Sequence, residues 1–469
     1  MKQASYASIL TPPILALAAL FFSPVQMSAE VPSAVAIKDA HVVTVSGQDL
    51  PKGTVLLRDG LIQEVGASVQ IPPDAWVIEG AGLTVYPGFI DGLSNWGIPA
   101  PASARAGAAA PVPVEPRAHG PEDRPQTYAY ERAADLVNPS DGRLEQARAA
   151  GFTSAATFPN RGIFEGQGAL IDFAGQRGRE MVVFEPVGQA VAFRSGGFGG
   201  GGRGGFPGSL MGNISYVRQL YLDLGQYQQA KQIYNAHPNG NRHPEYDHAL
   251  EGLAESPRVL LPADREQQID RILNFGPELK MPFLIYGLHE AYLRVDELRK
   301  ANVPLLVSLK WPEAPREVNP TDIPSFRDLT MRDKAPAVPG MLAKAGVKFA
   351  FYSDGVDNAA ELKRALKKAV DNGLSRADAV RALTLSVAEI YGVADRVGSI
   401  DKGKIANLVV TKGEAFDDKT TVEYVFVDGK KFVPSPEMQQ GPANGAGGAR
   451  RGNPPSGERA EDETDGRLN

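Results

Sequence analysis

The sequence predicts an α/β protein: a (β/α)8 TIM-like barrel plus a small composite β-sandwich formed by both ends of the chain. Three observations carry this expectation. Strand-like and helix-like runs alternate from Pro87 to Arg396, which is ample for a barrel of ~250 residues. Two short β-rich segments flank that region, and neither alone has enough strands for a stable sandwich. Each flank carries an Asp-Gly pair between β-rich runs, Asp59-Gly60 and Asp428-Gly429, a strong hairpin signal.

The elements follow in order. Residues 1–29 read as a signal peptide: Lys2, an apolar run from Ile9 to Phe22, then the small residues Ser28 and Ala29 before Glu30. The run is shorter than the ~20 residues that span a bilayer, and Pro12 and Pro13 interrupt it. The expectation is a cleaved leader and a periplasmic or secreted protein with no membrane contact after cleavage. Residues 30–86 supply short strands, with a break at Pro72-Pro73, and residues 397–434 supply the rest of the sandwich.

The barrel spans 87–396. Helices are expected near 142–150, 215–236, 264–275, 290–301, 357–373 and 375–391, the last with Ser375 as N-cap and Asp378 three residues on. Strands are expected in SAATF, MVVFEPV, RVLLPA, FLIYGL, PLLVSL and KFAFYSD. An Ala/Pro-rich loop covers 98–126, after the first barrel strand. A glycine-rich loop at 195–208 lacks the lysine and helix start of a phosphate cradle and reads as a lid or a plain insertion. The Gly/Pro/charge-rich tail 435–469 is expected to be disordered.

Composition narrows the function classes. A net charge of −6 and a pI near 5.7 argue against nucleic-acid binding. The chain has no cysteine, so disulfides and thiolate metal sites are excluded.

The most telling stretch is 85–97, VYPGFIDGLSNWG. It resembles the first barrel strand of the amidohydrolase superfamily, near the imidazolonepropionase-like branch. There a PGxID frame runs into a metal-binding His-x-His pair. The resemblance extends through ARAAGFTSAATFPNRGIFEGQGALIDFAG and YSDGVDN to GLSRADAVRALTLSVAEIYGVADRVGSIDKGKIANLVV. It implies a hydrolase of non-peptide C–N bonds, in cyclic amides or dipeptide-like substrates, with zinc in the wider family.

Carried over position by position, the resemblance implies a depleted site. The histidine pair is replaced by Leu93 and Asn95, and the fifth-strand ligand falls near Pro262. These are degenerate metal positions, so no bound metal or other cofactor is expected. Tyr286 stands near the sixth-strand position with His289 three residues beyond, and Glu185 is a possible fourth-strand carboxylate; all three are candidate substrate contacts. Asp354 occupies the eighth-strand position of the proton-accepting catalytic aspartate. Among the other histidines, His41 reads as structural, His119 falls in the Pro-rich loop, and His237, His243 and His248 cluster in a polar segment broken by Pro238 and Pro244.

Three readings stay open. One is a non-catalytic relative that binds a small molecule or forms a homo- or hetero-oligomer with an active paralogue. The second is a hydrolase using a metal-free site around Asp354 and Glu185. The third is a metal enzyme with ligands drawn from His237, His243 or His248.

Overall fold

The computed structural model describes residues 34–99, 123–193, 207, 209–314 and 323–440. The expectations for the leader 1–29, for most of the 98–126 and glycine-rich loops, and for the tail beyond 440 fall outside these residues.

Both ends of the chain build one eight-stranded sheet. Ala34–Val42 pairs with Leu50–Arg58, which pairs with Leu61–Gly66; Trp76–Glu79 and Thr84–Pro87 lie parallel to the first strand. The C-terminal strand Leu408–Lys412 then pairs antiparallel with Thr84–Pro87 and continues into Thr421–Val427 and Lys430–Phe432. The sheet curls so that its edge strand Leu61–Gly66 meets the segment leading into Leu408–Lys412: Ile62 donates to the carbonyl of Lys404 at 2.8 Å, and Ala406 to that of Gly60 at 2.8 Å. Both hairpin turns have positive φ at both central residues, Asp59 and Gly60, Asp428 and Gly429. The turns also touch. A Cβ on Gly60 would lie 2.8 Å from Asp428 Oδ1 and would be strained at its φ of 79°, so the position favours glycine. The enclosed core draws on both ends of the chain, Ile37, Val55, Leu57 and Val85 with Ile400, Leu408 and Phe426. This is the composite sandwich.

The second eight-stranded sheet is the barrel. Its strands, first to eighth, are Phe89–Ser94, Phe152–Thr157, Phe164–Asp172, Val182–Val191, Val259–Ala263, Phe283–Gly287, Leu305–Ser308 and Phe349–Tyr352. The eighth returns to the first: Ser353 N–H donates to Asp91 Oδ1 at 2.9 Å, and a Cβ on Gly92 would stand 2.7 Å from the Phe351 carbonyl oxygen. Alternate residues point inwards. Ile90, Leu170, Val187, Leu260, Leu284, Leu306 and Ala350 fill the interior with Val387 and Tyr391 of the helix Leu385–Tyr391, while Phe152, Leu261, Ile285, Val307 and Phe351 belong to the layer under the outer helices.

One strand departs from the expected alternation. Phe164–Asp172 runs antiparallel to both neighbours, and the sequence reading did not single it out. A parallel crossover needs about a dozen residues. Only residues 158–163 separate the second and third strands, so the third must turn straight back.

The expected helices form, with corrections: the one near 290–301 is a 3-10 turn, Ala291–Leu293, followed by a helix, Val295–Ala301, and His248–Glu255, Phe326–Lys334 and Val338–Lys344 are helices the sequence reading did not place. The stretch 375–391 is two helices, Arg376–Leu383 and Leu385–Tyr391, broken at Thr384. Ser375 caps the first as expected, accepting from the Asp378 N–H at 3.0 Å. The tail expected to be disordered from 435 begins with a helix, Pro436–Gln440. Gln439 bonds both the N–H and the carbonyl of Val422, at 2.8 and 2.9 Å, and so extends the sheet's polar pairing with a side-chain amide.

Candidate functional site

A cavity of about 270 Å³ opens at the mouth of the barrel, where the parallel strands end. Barrel sites sit at this face because loops from several strands converge there. The first strand delivers Leu93 and Asn95, the sixth Tyr286, and the eighth Tyr352 and Asp354. The sequence-predicted positions Leu93, Asn95, Tyr286 and Asp354 are therefore brought together.

Asp354 follows the last strand with φ of 52°, and Gly355 after it has φ of 77°. A non-glycine residue in this region is strained and needs support. Ser308 on the seventh strand donates its hydroxyl to Asp354 Oδ2 at 2.8 Å and accepts from the Lys310 N–H at 3.0 Å. Tyr286 donates its hydroxyl to the Val191 carbonyl at 2.8 Å. Its ring meets that of Tyr352 edge to face, 5.9 Å between centroids. The Tyr352 phenol is raised far above its ordinary range, by burial first and then by the charges of Asp354 and Asp264.

Asn95 is held by a cation. Arg143, at the start of the helix Arg143–Ala149, donates to Asn95 Oδ1 at 2.9 Å, to the Asn95 carbonyl at 3.0 Å and to the Ile98 carbonyl at 2.9 Å. The same guanidinium grips the buried Asp141 at 2.6 Å. Burial alone would raise the Asp141 carboxyl, but the Arg143 bonds outweigh it and hold it below the usual carboxylate range.

Sequence reasoning gave no site role to two carboxyl residues, Glu165 at the mouth and Asp91 behind it. Glu165 lines the cavity because its strand is reversed, so that strand's beginning, not its end, lies at the mouth. The short turn Pro159-Asn160-Arg161-Gly162 was the available signal for this. Asp91 lies buried behind Leu93, its Oδ1 accepting from Ser353 N–H and from Leu93 N–H at 3.3 Å. Burial pushes its carboxyl up to about 7; the Ser353 and Leu93 donors oppose this and the charge of Asp354 adds to it.

Other expected positions lie elsewhere. Glu185 is in the first half of the fourth strand, away from the mouth end, and pairs with Arg179 at 2.8 Å. His289 does not line the cavity; its Nδ1 lies 3.2 Å from Asp264 Oδ1, and its Nε2 is buried with no hydrogen-bond partner among the described residues. Pro262 sits beside Tyr286 in the ladder and offers no donor atom in its side chain. His237 and His243 are exposed at the far end of the long helix Leu210–Ala236, and His248 packs edge-on against Tyr130; none lines the mouth.

Zinc does not fit this donor set. A catalytic zinc takes three protein ligands, usually histidine or carboxylate. The first-strand positions offer a hydrocarbon and an amide oxygen already bonded to a guanidinium. Among the described residues, no group of three or more His, Asp or Glu side chains could hold a metal ion. A larger groove, about 580 Å³, lies between the helix Ala359–Asp371 and the strand Thr421–Val427, away from the barrel mouth. Lys363 is spent there on the carbonyls of Asp418 and Thr420, at 3.1 and 2.6 Å, as part of the seam between barrel and sandwich.

Residues 235–432 match the model of the amidohydrolase family. An amidohydrolase from Thermotoga maritima MSB8 superposes with a TM-score of 0.68 at 26% identity, over 86% of this chain and 100% of that one. An uncharacterised protein superposes with a TM-score of 0.50 at 17% identity, over 86% and 100%, which is a likeness of fold alone. No curated protein matches in sequence. The chain is thus similar to amidohydrolases, in sequence over residues 235–432 and in fold over most of its length.

Proposed function

We propose that this protein is an exported amidohydrolase relative whose barrel mouth binds a small molecule without a metal ion, and that zinc-dependent hydrolysis of non-peptide C–N bonds has been lost from it. One observation carries the reading. The oxygen of Asn95, the sole side-chain donor at the former histidine pair, is bonded to the Arg143 guanidinium at 2.9 Å. A second cation on that oxygen would meet a fixed positive charge at close range, in a site walled by Leu93. Asp354 is left as a carboxylate supported by Ser308, able to hold a ligand's donor group but too few in number to hold zinc. Export rests on the leader-like residues 1–29.

The test is elemental analysis of protein purified without chelators, followed by a screen of amide and dipeptide substrates with and without chelator. Substoichiometric zinc and no chelator-sensitive hydrolysis are expected. One tightly held zinc per chain, with hydrolysis lost to chelator and restored by zinc, would overturn the reading.

A further inference from the structure

We infer that the ligand of the barrel mouth is a small organic cation, an amine or amidine carrying a compact apolar or aromatic body. This rests on the metal-free reading, since a bound dication would reverse the charge of the cavity.

Three features of the cavity point to this class. First, the charged side chains that line it among the described residues are Asp354 and Glu165; Glu165 has an interaction of its own, so Asp354 is the charge that a ligand would meet. Two arginines stand near the rim. Arg143 bonds the lining Asn95 on the first-strand side and is paired there with the buried Asp141, so a cationic ligand is placed on the Asp354 side of the cavity; Arg161 is paired with Glu131 and stacked on the Tyr128 ring.

Second, further acidic groups stand behind the lining. Buried Asp91 lies behind the first strand, and Asp264 ends the fifth with His289 Nδ1 3.2 Å away. Burial is the main cause that raises both the Asp91 carboxyl and the Tyr352 phenol, and the charge of Asp354 adds to each, so a cation beside Asp354 would be met by no opposing charge from these groups.

Third, the remaining wall is built for a hydrocarbon or ring. Tyr286, Tyr352, Phe158 and Leu93 line the cavity. The Tyr286 ring is fixed by its bond to Val191, and the two tyrosines present an edge-to-face pair. Aromatic faces beside carboxylates attract ammonium groups through both charge and ring quadrupole. The volume of about 270 Å³ limits the body to one ring or a short chain.

Isosteric probes on the full mature chain test this. Benzylamine, benzyl alcohol and benzoate differ in head-group charge on the same ring. Each is titrated calorimetrically into wild type, Asp354→Asn and Leu93→Trp, with the melting temperature of each variant as a folding control. Benzylamine is expected to bind at least about tenfold more tightly than benzyl alcohol, benzoate not at all, with the preference shrinking as salt is added. Asp354→Asn should weaken benzylamine about tenfold and leave benzyl alcohol unchanged, and Leu93→Trp should abolish both by filling the cavity.

Benzoate binding as well as benzylamine would overturn the inference. So would an amine affinity indifferent to Asp354→Asn, or no binding by any probe. Each of these leaves the metal-free reading standing, because that reading falls only to the zinc analysis. Tight zinc in wild type would remove both.

Discussion

Replacing Asp172 by Asn should remove much of the pH dependence of stability above the acid range. Asp172 ends the reversed third barrel strand and is buried at the seam with the sandwich. Its Oδ1 accepts from Ser154 Oγ at 2.7 Å and from Asn407 Nδ2 at 2.9 Å. Asn407 in turn accepts from the Asp428 N–H at 2.8 Å through its side chain and from the Gly88 N–H at 2.8 Å through its backbone. One carboxyl group thus joins the barrel to the turn of the C-terminal hairpin.

Burial pushes the Asp172 carboxyl up to about 7, from an ordinary value of 3.8; the Ser154 and Asn407 donors oppose the rise and the charge of Asp428 adds to it. Because the folded-state pKa is the higher one, the folded chain keeps a proton that the unfolded chain has already released. Stability therefore falls as pH rises through the window between those two values, and the loss is complete above it. At ~1.4 kcal/mol per unit, this group alone costs about 2–3 kcal/mol between about pH 5 and about pH 8. Asparagine keeps an oxygen for both donors and carries no titrating group.

Urea unfolding at about pH 5, 6.5 and 8 should show the wild type losing this increment relative to Asp172→Asn, at unchanged denaturant slope. Asp91 titrates in the same window but is common to both proteins, so the difference isolates Asp172. A difference that stays constant across the pH range would refute the argument and mean that Asp172 is ionised in the folded state.

Arg143→Ala should destabilise the fold by about 3 kcal/mol in thermal or denaturant melts, because it leaves Asp141, with 1% of its side chain exposed, as an unpaired buried charge. A loss indistinguishable from zero would show that the Asn95–Arg143–Asp141 network does not hold the mouth. Ending the chain after Gly398 removes three strands of the shared sheet and should yield insoluble protein on a pelleting assay. Ending it after Gln440 should move the melting temperature by no more than about 2 °C, whereas ending it after Phe432 also loses the Gln439–Val422 pair and should lower it further. Intact-mass measurement on protein from a secreting host should find a chain starting at Glu30; retention of Met1 would remove the export proposal.

The rolled sheet and most of the barrel were legible because they rest on local signals. Asp-Gly turns, a period of two in strands and capped amphipathic helices can each be read within a dozen residues. The family frame at 85–97 likewise located the first strand, and the YSDGVDN block located Asp354, since strand ends carry their site residues in a fixed register. The middle of the barrel was harder. Strand alternation there leaves the direction of each strand open, and the reversed third strand was missed although its six-residue connection excluded a crossover.

What the sequence by itself determined is therefore the scaffold and which residue types end its strands, Leu93, Asn95 and Asp354 among them, both properties of residue type and order. Only the tertiary structure decided what those positions do now. Arg143 reaches Asn95 across 48 positions of sequence, Ser308 reaches Asp354 across 46, and Ser353 reaches Asp91 across 262. Glu165 came to the mouth while Glu185 went to the other half of its strand, because strand direction selects which end of a segment faces the site. Hydrogen bonds and charge fall off within a few ångströms, so a site's chemistry is set by neighbours in space, and the local patterns that write a fold carry little record of them.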